Sequence, residues 1–148
     1  MRIEGFRDAC ADRELPTENR VFTHDLSRTT ALNVLKSILR ARPKPTGIVT
    51  GSDDDAYRII QAGLKLGVRI PGDLSISGFG NLPTISGLFD LTSVEQHAAD
   101  QGFHACEILV DIIDGRRKEK TFNELTEVEL VHRGSIADLS GGHAANRS

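Results

Sequence analysis

Leu66-Gly67-Val68-Arg69-Ile70-Pro71-Gly72-Asp73-Leu74-Ser75-Ile76-Ser77-Gly78-Phe79-Gly80 is the stretch that decides the fold. Before it, Ala56, Ile59, Ile60, Gly63 and Leu64 recur with the helical period and mark one buried face. Gly67 supplies the left-handed residue that closes such a helix, and Pro71-Gly72-Asp73 makes a turn into a strand over Leu74–Phe79. Upstream, Thr46-Gly47-Ile48-Val49-Thr50 is a strand running into Gly51-Ser52-Asp53, where Ser52 or Asp53 caps the helix that continues to residue 66. Strand, helix, short link and strand in that order make a βαβ unit, and such a crossover is right-handed. The class is α/β, with a parallel sheet in βα layers.

The alternation continues on both sides. Residues 2–14 carry Ile3, Phe6, Ala9 and Cys10 on one helical face and stop near Leu15-Pro16. A short strand is expected over Arg20–Thr23. Asp25 and Ser27 are then the capping candidates for a helix over 28–41, with Ala31, Leu32, Leu35, Ile38 and Leu39 inward. After Phe79, residues 80–91 read as a loop at the carboxyl end of a strand, where open α/β sheets place ligands. Leu91–Val94 leads to a helix over 98–114 whose apolar face holds Ala99, Gly102, Phe103, Cys106, Leu109, Val110 and Ile113. A last strand is expected over Val128–His132.

The chain has 148 residues, a size that buries roughly 68–70% of its unfolded surface and needs no disulfide or structural metal. Its 18 Lys and Arg against 21 Asp and Glu leave a net charge of −3, which excludes gripping nucleic acid by bulk electrostatics. Cys10 and Cys106 lack metal-ligand spacing and read as reduced, buried thiols of a cytoplasmic protein. No apolar run approaches the length of a membrane helix.

No catalytic residue, metal-ligand set or cofactor motif emerges. Gly78-Phe79-Gly80 lacks the third glycine and the helix of a dinucleotide fingerprint, since Asn81-Leu82-Pro83 follows. His97 and His104 are seven apart, too far for a metal pair on a helix, and are expected at the surface. Arg116-Arg117-Lys118 reads as a solvated basic turn. Asp53-Asp54-Asp55 is most simply a helix start, where carboxylates meet free N–H groups. A second reading of another class is a Mg²⁺-dependent α/β enzyme or phosphoacceptor domain built on Asp53, Asp54 and Asp55.

Taken in order, Arg2-Ile3-Glu4-Gly5-Phe6, Pro45 to Asp53, Gly63 to Phe79, Leu91 to Gln96, and Gly102 form a connected series. The series resembles the lactose/galactose-repressor (LacI/GalR) family of bacterial transcription regulators, over about residues 2–137. The resemblance implies a periplasmic-binding-protein-like (type I) effector domain, here its C-terminal subdomain plus an orphan helix of the first subdomain. It implies a cytoplasmic homodimer that takes a carbohydrate or nucleobase-like effector and no cofactor. DNA would be reached only through an N-terminal helix-turn-helix domain, expected to precede Met1. Residues 1–137 are expected to form the incomplete effector domain, and 138–148 a disordered tail. The face at Phe103, Leu109, Val110 and Ile113 is expected to lack its cover.

The resemblance also assigns pocket positions. Arg2 matches the effector-binding arginine, whose planar fork suits hydroxyls or a carboxylate. Ser52 matches a polar contact at a strand end, and Gln96 a polar position lining the cleft. Leu26 stands where many members place a stacking aromatic. Gly80 stands where sugar and purine binders commonly have Asp, so a charged acceptor is missing; Asn81 and Asp54 are the candidates to replace it.

Overall fold

The computed structural model describes residues 2–18, 20–23, 28–118 and 126–138. Along the chain come α1 (Arg2–Ala11), α2 (Arg28–Arg40), β1 (Gly47–Val49), α3 (Asp53–Leu66), β2 (Ser75–Phe79), α4 (Pro83–Ser86), β3 (Thr92–Glu95), α5 (Ala98–Ile113) and β4 (Glu129–Val131). The sheet has the order β1-β2-β3-β4. The first three strands are parallel, with Ile48 beside Ile76 and Gly78 beside Ser93. β4 is antiparallel to β3, with Val94 opposite Leu130.

The deciding stretch folds as its residues dictate. Gly67 takes φ 69°, and the Val68 N–H returns to the Gly63 carbonyl at 2.9 Å, so the orphan carbonyls at the end of α3 find donors. At the other end Ser52 is the N-cap, its Oγ accepting the Asp55 N–H at 3.1 Å. The core follows the predicted spacing: Ala31 and Leu35 of α2 and Ala56, Ile59 and Ile60 of α3 are buried with Leu74, Ile76 and Leu91. Leu64, expected on the inward face of α3, is 66% exposed because it sits on the flank of that face. After β4 the chain returns to the amino ends of β2 and β3, where the Ile76 N–H donates to the Ser135 carbonyl. The Ser135 Oγ donates to the Ile76 carbonyl and accepts the Thr92 N–H, stapling the amino ends of β2 and β3.

Several expectations are corrected. Arg20–Thr23 forms no strand, because its β-prone side chains have no ladder partner. α1 ends at Ala11, as Glu14 takes φ 55° and the Leu15 N–H turns back to the Cys10 carbonyl before the proline. The loop after β2 contains the short α4, started by Pro83. Cys10 is half-buried and Cys106 exposed, not buried. Asp25, Ser27 and Leu26, and the tail from residue 139 onward, lie outside the described residues.

α5 has the apolar face read from its sequence but only Ile108 is buried. Phe103 is 68% and Ile113 73% exposed, with Leu109 and Val110 also open, and α1 buries no residue. His97 and His104 are exposed. Arg116 pairs with Asp111 and Asp114 at the end of α5, a local clasp of the basic turn. No helix among the described residues is long and apolar enough to cross a membrane.

Candidate functional site

Three parallel strands put three carboxyl ends at one edge of the sheet: Gly51 beyond β1, Phe79 and Gly80 at β2, and Gln96 beyond β3. Arg2, the first residue of α1, reaches all three. Its Nη1 donates to the Gly51 carbonyl at 2.6 Å, its Nη2 to Gln96 Oε1 at 3.3 Å, and its guanidinium lies 4.0 Å from the Phe79 ring centroid. Gln96 is steadied in turn, its carbonyl accepting from Gln101 Nε2. Gly80 adopts φ +124°, a conformation reserved for glycine, and a Cβ there would stand 3.7 Å from Gln96 Nε2. Arg2, Gln96 and Gly80 are therefore neighbours. Ser52 adjoins them in sequence through Gly51, with its oxygen engaged as the α3 cap.

Beneath this edge lies a side chain whose role sequence reasoning placed elsewhere. Asp53 is fully buried and is not the helix cap. Its Oδ1 accepts the Ser93 hydroxyl of β3 and its Oδ2 accepts the Leu82 N–H at 2.6 Å, so one carboxylate ties α3 to β3 and to the loop after β2. Only glycine fits at Gly78, where a Cβ would overlap Asp53 Oδ1 and approach Leu91 to 2.9 Å. The one signal in the sequence was the polar Thr92-Ser93 pair directly after Leu91, at the start of β3.

Asn81 does not take over as a free acceptor. Its Nδ2 donates to Glu95 Oε2 at 2.9 Å, and its Oδ1 receives Arg133 Nη2 at 2.8 Å. Arg133, which sequence reasoning missed, also donates to the Leu91 carbonyl and locks the loop to the outer edge of β3. Glu95 accepts the His97 N–H as well, and the Asn81 amide, followed by that backbone donor, holds its carboxyl below the usual range. Asp54, the other candidate, is exposed in the first turn of α3. With Asp53 buried and Asp54 exposed, the acidic run does not converge on a cation, and no group of three or more His, Cys, Asp or Glu suited to a metal occurs among the described residues.

The family description "Periplasmic binding protein-like domain" matches residues 1–136. The chain belongs to that family. Among relatives of this periplasmic-binding-protein-like domain, the HTH-type transcriptional repressor PurR of Vibrio cholerae is 30% identical over 142 residues, 94% of this chain and 42% of the relative. The ribose operon repressor of Halalkalibacterium halodurans is 33% identical over 133 residues, 89% of this chain and 39% of the relative. The solved LacI family transcriptional regulator from Enterococcus faecium with bound ribose is 25% identical, covering 92% of this chain and 50% of that one with a TM-score of 0.78. The LacI/GalR resemblance thus holds, and so does the α/β fold class. The chain spans about 42% of the length of the PurR relative.

Proposed function

We propose that this chain is the effector-binding portion of a LacI-type transcriptional regulator, taking a small polar ligand at the carboxyl ends of β1–β3. One observation carries the reading: a single guanidinium, that of Arg2, touches the ends of all three parallel strands while remaining exposed. Open α/β sheets bind ligands at this edge. Arg2, Ser52, Gly80 and Gln96 form the proposed contact set, and Leu26, the apolar member assigned by the resemblance, lies outside the described residues. Residues 1–137 make up the proposed unit. DNA recognition belongs to a helix-turn-helix domain outside these residues. The assembled regulator is a cytoplasmic homodimer with no catalytic role. A thermal-shift screen of sugars and nucleobases against the chain and its Arg2→Ala variant tests this. A ligand at 100 times its dissociation constant adds about 2.7 kcal/mol to the parent chain. Equal stabilisation of the Arg2→Ala variant contradicts the pocket assignment.

A further inference from the structure

Resting on the effector reading above, we infer that Gln101 is a positioning residue that couples Gln96, at the strand-end edge, to the segment entering β4. Gln96 stands one residue past the last pair of the β3–β4 ladder, Glu95 opposite Glu129. Like charges placed directly opposite destabilise a ladder, so this end of it is where the two strands tend to part. α5 begins at the same point without a side-chain cap, its N-cap His97 turning the chain at φ 53°. The junction of β3, α5 and the approach to β4 therefore gains little from ladder or cap.

Gln101 bridges that junction. It is half-buried, one turn into α5, where its N–H donates to the His97 carbonyl at 3.0 Å. A carboxamide nitrogen carries two protons. In Gln101, Nε2 donates to the Gln96 carbonyl at 2.5 Å and to Thr126 Oγ1 at 2.9 Å, so a single nitrogen ties the exit from β3 to the approach to β4. Gln96 is met from two helices as a result: Arg2 of α1 donates to its Oε1 at 3.3 Å and Gln101 of α5 to its carbonyl. Arg2, Gln96, Gln101 and Thr126 form one contiguous series of contacts. A change in how Gln96 is held at its side chain reaches Thr126 through Gln101, and an occupant of the strand ends is felt at β4 by the same route.

The test needs no ligand, so its failure is distinct from failure of the effector reading, which the thermal-shift screen decides. Backbone amide signals of the ¹⁵N-labelled 148-residue chain are compared across variants, each checked by circular dichroism. Arg2→Ala, which frees Gln96 Oε1, should shift the amides of Gln96 and His97 and, through Gln101, those of Thr126–Glu129. In the Gln101→Met background, where the side chain keeps its length and loses its donors, adding Arg2→Ala should still shift Gln96 but leave Thr126–Glu129 unmoved. Thr126→Val should break the coupling at its other end, and Thr126→Ser, which keeps the hydroxyl, should preserve it. Thr126→Val carries the same test if Gln101→Met does not fold. A response of Thr126–Glu129 to Arg2→Ala that is equal with and without the Gln101 amide, or absent from the parent chain, overturns the inference. So does a Thr126→Ser chain that behaves as Thr126→Val does, since the hydroxyl would then play no part.

Discussion

The carboxylate of Asp53 accepts the hydroxyl of Ser93, joining the first turn of α3 to β3 across 40 residues of sequence. Both groups are fully buried, and the second oxygen of Asp53 holds the Leu82 N–H. The strand-end edge of the sheet therefore rests on an internal polar clamp that also holds the loop after β2.

Asp53→Ala should cost about 3 kcal/mol, because it strands the buried Ser93 hydroxyl and the part-buried Leu82 N–H, a lost partner costing about 1–3 kcal/mol. Ser52→Ala removes only a helix cap and should cost about 1 kcal/mol. Urea unfolding of the two variants separates the roles. A Ser52→Ala loss equal to or larger than that of Asp53→Ala would contradict the clamp.

Gly78→Ala should also destabilise, by about 3 kcal/mol or more, since its methyl group would overlap Asp53 and crowd Leu91. The informative measurement is the double variant with Asp53→Ala. Removing the carboxylate makes room for the methyl, so the two losses should fall short of additivity. Fully additive losses would place the cause of the Gly78 effect elsewhere.

Much of this arrangement was legible in the sequence, and what escaped has a common physical cause. Local signals carried through: Gly67 at its helix end, Ser52 among the two cap candidates, and the period of Ala31, Leu35, Ala56 and Ile59 in the core. Arg2, Gly80 and Gln96, assigned by family resemblance, stand together at the strand ends. Misjudgements arose wherever a partner was distant. Asp53 looked like a cap because Ser93 is remote in sequence, and Arg133 went unnoticed because Asn81 and Leu91 lie on another strand's flank. Arg20–Thr23 has strand-forming side chains but nothing to pair with, and the reversed direction of β4 depends on the path of the chain, which periodicity does not encode.

Glu95 gives a pH signature. Its folded carboxyl titrates below its unfolded value of about 4.3, so its contribution to stability is present above that pH and is lost as the pH falls through the folded value. The stability difference between the parent chain and Glu95→Gln should be constant near neutrality and shrink in acid. The side-chain amide resonances of Asn81, followed by NMR, should shift over the same range. A difference that persists unchanged below pH 3, which is about a unit under the unfolded value, would contradict the bond to Asn81.

The open face of α5 predicts a different pattern. Phe103 and Ile113 are both about two-thirds exposed or more, so Phe103→Glu with Ile113→Lys should change stability by no more than about 0.5 kcal/mol per site. The same pair should reduce self-association, because it breaks a contiguous apolar surface. Sedimentation velocity over a range of concentrations reads this directly. Ile108→Ala, at the buried position of α5, should cost more than either exposed change.

The most direct test of the account is where ligand-induced change occurs. With the chain labelled with ¹⁵N and titrated with neutral sugars, sugar acids and nucleobases, amide shifts should gather at Gly51–Asp54, Phe79–Asn81 and Glu95–His97, and should vanish in Arg2→Ala. Shifts centred instead on the groove of Leu64, Val68, Phe89 and Asp90, or shifts that persist without Arg2, would contradict an effector site at the strand ends.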